Sequence, residues 1–80
     1  MTNEHKIQCI AFMACFVNEC HNDGLPREIA LMTGINAIPA LSIGVFGVTE
    51  EWYKEVTDFA VDALRSAINR YYGKKRRGNQ

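Results

Sequence analysis

Between Ile29 and Thr49 the chain carries no Asp, Glu, Lys or Arg. The run reads Ile-Ala-Leu-Met-Thr-Gly-Ile-Asn-Ala-Ile-Pro-Ala-Leu-Ser-Ile-Gly-Val-Phe-Gly-Val-Thr. Charged side chains are almost never fully buried unless paired, so a run without any is expected to be covered. The cover can be the rest of the chain, a second copy, another protein or a bilayer. Which of these applies constrains both the fold and the function.

The chain has 80 residues, enough for one domain. A domain this small buries only about 60% of the surface its unfolded chain exposes, so oligomerisation or tight helix packing is a common support. Apolar residues make up 48% and charged residues 22%, a globular balance rather than a disordered one. The formal net charge is zero, which gives no general attraction to nucleic acid or to acidic membranes. Lys74, Lys75, Arg76 and Arg77 nevertheless form a basic block near the end. We expect a single helical domain over residues 1–73 and a basic tail without fixed structure over 74–80. The cysteines are Cys9, Cys15 and Cys20, an odd number placed close together, which does not suit a disulfide framework. With no basic leader before the first apolar run, the expected setting is reducing and cytoplasmic.

Four segments follow from periodicity and punctuation. The first runs from Asn3 to Asn22, with Thr2 or Asn3 able to accept from the first free amides. Its stretch from Cys9 to Val17 is apolar on every side, so the helix is expected to be buried or to pack against several neighbours. His21-Asn22-Asp23-Gly24 breaks it. Pro26 suits the start of a short second helix, Arg27 to Thr33, with Gly34 as its stop. Asn36 then caps a third segment, to about Phe46, with Pro39 in its first turn. The fourth begins at Thr49 and places Trp52, Val56, Phe59, Ala60, Ala63, Leu64, Ala67 and Tyr71 at three- and four-residue spacing. Gly73 ends it, so this last helix is long and amphipathic.

Arg27-Glu28-Ile29-Ala30-Leu31-Met32-Thr33-Gly34-Ile35 resembles the first helix and turn of a helix-turn-helix DNA-binding unit. Ala30 matches the small residue inside the first helix, Gly34 the turn, and Ile35 the aliphatic residue after it. The resemblance implies a small DNA-binding regulator, with Asn36 and the tail residues Lys74, Lys75, Arg76 and Arg77 as nucleic-acid contacts. A recognition helix needs polar and basic side chains for bases and phosphates, and the segment after Gly34 supplies only Asn36 and Ser42. The tail alone could neutralise phosphates in a sequence-blind, salt-dependent way.

Other chemistries find little material. Cys20-His21 with Cys15 lacks the second ligand group that structural zinc sites use, so no metal and no other cofactor is expected. Asp58 and Asp62 lie on the polar side of the last helix, where solvated charge is the default, so no catalytic residue is assigned. Ile29 to Val48 is long enough to span a bilayer, and apolar segments with a basic tail resemble small phage lysis proteins of the holin type in outline. Asn36, Pro39 and the glycines interrupt that span, which disfavours a membrane location.

The sequence therefore predicts an all-α fold, a compact bundle of three to four helices with a long C-terminal amphipathic helix. Its apolar surface exceeds what so small a domain hides, which predicts a homodimer or higher homo-oligomer. The function expected is that of a non-enzymatic interaction module binding an unidentified protein, as a phage or mobile-element accessory protein or an inhibitor of a host system would. Trp52, Tyr53, Tyr71, Tyr72, Phe12 and Phe16 are the expected interface residues, because large aromatic side chains dominate binding energy at interfaces.

Overall fold

A computed structural model describes residues 2–44 and 50–73, with side chains at 2–42 and 54–73. Three helices make up the described chain: α1 (Asn3–Asn22), α2 (Arg27–Gly44) and α3 (Glu50–Tyr71). No strand occurs among the described residues, and the helices pack into a compact all-α unit.

Thr2 caps α1. Its backbone is extended (φ −78°, ψ 166°) and its side-chain oxygen accepts from the His5 amide at 3.1 Å. Glu4 in the first turn complements the helix dipole. The far end closes in a Schellman arrangement. The Leu25 amide donates to the Cys20 carbonyl (3.0 Å) and the Gly24 amide to the His21 carbonyl (3.1 Å). Gly24 has φ +79°, a left-handed conformation that a side chain disfavours. The chain reverses there, and the Pro26 carbonyl accepts from the Ala30 amide (3.0 Å) to open α2.

α1 buries one stripe only: Cys9, Met13, Val17 and Cys20. Within the single chain Ile7, Ile10 and Phe12 remain exposed. The reason is the number of neighbours. Two helices can cover one side of a third, and nothing among the described residues covers the other.

One correction concerns α2. The sequence suggests two short helices with a stop at Gly34 and a fresh cap at Asn36, but the helix runs unbroken from Arg27 to Gly44. Gly34 is buried, and a Cβ built there would lie 2.6 Å from Leu64 Cδ1 and 2.8 Å from Cδ2. The glycine is a place of close approach between α2 and α3, not a stop. Pro39 sits inside the helix and removes the amide that would pair with the Ile35 carbonyl. Its ring is exposed, so the cost falls on the side that water reaches.

α3 contributes Val56, Ala60, Leu64, Ala67 and Ile68 to the interior. It packs on both other helices, whereas α1 and α2 meet each other less extensively. The core is completed by Ala30, Ile38 and Leu41 of α2. Lys54, Asp58, Asp62, Arg65, Ser66, Asn69 and Arg70 are all exposed on the other side of α3. The expected cap at Thr49 lies outside the described residues.

Candidate interaction surfaces

Two surfaces stand out once the core is removed from consideration. The first is the outer side of α2. Ala30, Gly34, Ile38 and Leu41 face inward at three- and four-residue spacing. The complementary stripe faces out: Ile29 is 43% exposed, Met32 58% and Ile35 42%, with Thr33, Asn36, Pro39 and Ala40 exposed beside them. After Glu28 no ionisable side chain follows within the helix. From Ile29 to Leu41 the charge-free run is thus covered on one side by the other helices and left open on the other. Contiguous open apolar surface of this kind marks an interaction site more often than scattered single residues do.

The second surface is a groove of about 330 Å³ between α1 and α3. Ile10 and Ala14 of α1 form one wall, and Phe59, Ala63 and Ala67 of α3 the other. Asp62, Ser66 and Arg70 supply the polar lining, two opposite charges separated by a small hydroxyl. Beside it the Lys6 ammonium lies 6.0 Å from the centre of the Phe59 ring.

The residues singled out from sequence fall in different places. Tyr72 is used within the fold. Its hydroxyl donates to the Leu25 carbonyl at 2.8 Å, and its ring meets His21 edge-on, with centroids 4.9 Å apart and planes at 83°. It therefore ties the end of α3 to the α1–α2 turn. Burial pushes its phenol above the ordinary range, with the neighbouring Cys20 adding to the effect. Tyr71 and Phe16 are half-buried against the core, and Phe12 is 40% exposed. The side chains of Trp52 and Tyr53, and the tail residues Lys74, Lys75, Arg76 and Arg77, lie outside the described residues. Asn36 is exposed in the middle of α2 and caps nothing. Because the helix does not turn at Gly34, the helix-turn-helix resemblance does not survive in the structure.

Cys9 and Cys20 are buried and Cys15 is exposed, all three as free thiols. Burial raises the Cys9 and Cys20 thiols, and Asp23 and Glu19 raise Cys20 further, so neither is activated as a nucleophile. Among the described residues no three His, Cys, Asp or Glu side chains converge to hold a metal. No helix of the described residues is long and apolar enough to cross a membrane.

Sequence reasoning missed Ile29, Met32 and Ile35 as surface residues. The signal was present, since they form the stripe opposite Ala30, Gly34 and Ile38 once one continuous helix is assumed. Splitting the segment at Gly34 hid it.

The Tyr72 contact gives a modest expected result. Tyr72→Phe keeps the ring against His21 and removes one exposed hydrogen bond, so urea denaturation should show a loss of about 0.5–1 kcal/mol. The alkaline limb should change as well. The folded state raises the phenol, so its contribution is complete below the unfolded value near 10 and is lost as pH rises through the folded value. The Phe variant should lose that part of the alkaline destabilisation.

No protein-family profile, no curated protein and no solved structure matches this chain.

Proposed function

We propose that this chain is a non-enzymatic helical interaction module that acts by protein binding and self-association. The observation that carries the reading is the outer stripe of α2, where Ile29, Met32 and Ile35 stand in water with no charged side chain beyond Glu28 in the helix. Covering the stripe from Met32 onward removes apolar surface from water at roughly 25 cal/mol per Å² and desolvates no charge of the helix. A helix face of this kind suits a groove or a second helix on another protein. In this reading α3 acts as a long amphipathic rod that holds α1 and α2 in place, leaving their outer sides for partners.

Site-specific photo-crosslinking tests the reading. A photoreactive residue at position 32, in the chain expressed in its own cells, is expected to give a discrete adduct with another polypeptide. The same residue in place of Asp23, exposed in the turn between α1 and α2, is expected to give none. Absence of an adduct at position 32, or equal adducts at both positions, removes the assignment of α2.

A further inference from the structure

The α1–α3 groove carries information about its occupant that the α2 stripe does not, because it is charged in a definite order. Phe59, Asp62, Ala63, Ser66 and Arg70 recur at three- and four-residue spacing and line one side of α3 along the groove. Asp62 stands toward the N-terminal end and Arg70 toward the C-terminal end, with Ser66 midway between them. The order continues outward along the chain: Asp58 precedes the stripe, and the basic run Lys74, Lys75, Arg76 and Arg77 follows it.

We propose that two copies of this chain pair through this groove, α3 antiparallel to α3, about a two-fold axis passing near Ser66. The proposal rests on the self-association reading above and adds its surface and register. In a two-fold interface each contact occurs twice with the roles exchanged. A stripe that is acidic at one end and basic at the other is then its own complement only when the helices run in opposite directions. With Ser66 opposite its own copy, Asp62 faces Arg70 of the second copy, and Arg70 faces that copy's Asp62. A parallel pairing would set Asp62 against Asp62 and Arg70 against Arg70, which disfavours it on charge.

Side-chain size agrees. The middle of the stripe is Ala63 and Ser66, so the two α3 backbones can approach closely there. Ile10, 47% exposed in one copy, and the half-buried Phe59 then supply the apolar flanks. The result is a four-helix arrangement of α1 and α3 from each copy, with helices inclined by about 20° as in ordinary bundles. Rim charges of this type set orientation and partner choice more than strength. The outer stripe of α2 has no charges to fix a register and lies on another side of the molecule, so it stays open for a different protein.

Sedimentation equilibrium of the full chain tests this. The native protein is expected to sediment at about twice its 9.0 kDa chain mass. Asp62→Arg and Arg70→Asp each set like charges opposite one another and should raise the dimer dissociation constant at least about tenfold. Both residues are exposed, so circular dichroism should show unchanged helix content in each variant. Mixing the two variants should restore the dimer, because each arginine of one chain then meets an aspartate of the other. A native protein that stays at 9.0 kDa across the concentration range removes self-association itself. A native dimer that neither substitution weakens keeps self-association and overturns this surface. Variants that weaken but do not recover on mixing overturn the pairing of Asp62 with Arg70.

Discussion

Leu64→Ala is expected to remove about 3–4 kcal/mol of stability, the upper part of the range for a buried leucine truncation. Leu64 has no exposed surface and stands where α3 meets α2, its methyl groups directly under Gly34. Truncation removes those methyls from the one place where neither neighbour can fill the gap. Gly34 has no side chain to move in, and the helix backbones are already close. A chain of 80 residues commands roughly 4–12 kcal/mol in total, so the loss is a large fraction of the whole. Thermal and urea denaturation followed by circular dichroism would measure it. A loss below about 1 kcal/mol would mean that Leu64 is not the contact between α2 and α3.

Gly34→Val is expected to cost about 1–3 kcal/mol, and its sign separates two readings of the same glycine. In an open helix position, replacing glycine gains stability, by up to about 1 kcal/mol for alanine and less for valine. Here the new Cβ would lie 2.6 Å from Leu64 Cδ1, and valine adds two methyls beyond it. Leu64 is enclosed, so its methyls or the two helices must shift to admit the new side chain, which loses packing. The pairing with Leu64 gives a second check. Combining Gly34→Val with Leu64→Ala should cost less than the two separate losses together, by more than about 1 kcal/mol, because the valine enters the space the leucine left. Additive losses would mean that the two residues do not touch.

The contrast between α1 and α2 shows what the sequence made legible. The bounds of α1 could be read from it because Thr2 is a local cap and Gly24 a local stop, each acting through backbone hydrogen bonds of a few residues. Gly34 is also a glycine after a helical run, so local signals gave it the same meaning. Its actual role depends on Leu64, thirty positions away in sequence, and only a tertiary contact distinguishes a stop from a close approach. Asn36 and Pro39 reinforced the error, as both are common at helix starts.

The surfaces were affected in the same way. The absence of charge after Glu28 could be seen at once, but a charge-free run says that something is covered, not which side. The continuous helix divides it into Ala30, Gly34, Ile38 and Leu41 inside and Ile29, Met32 and Ile35 outside. Tyr72 could not be assigned from composition, because its partner is a backbone carbonyl at Leu25 on the far side of the chain reversal. Asp62, Ser66 and Arg70 read as ordinary solvated residues of an amphipathic helix until Ile10 and Ala14 of α1 were placed opposite them.

The outer stripe of α2 is open apolar surface rather than core, and two methionines test this within one molecule. Met13 is fully buried and Met32 is 58% exposed. With ¹³C-labelled methionine methyls and a soluble paramagnetic relaxation agent, the Met32 methyl should relax strongly while Met13 stays nearly unaffected. Dimerisation through the α1–α3 groove leaves this result unchanged. Equal shielding of the two methyls would show α2 covered on its outer side and would rule out the open stripe.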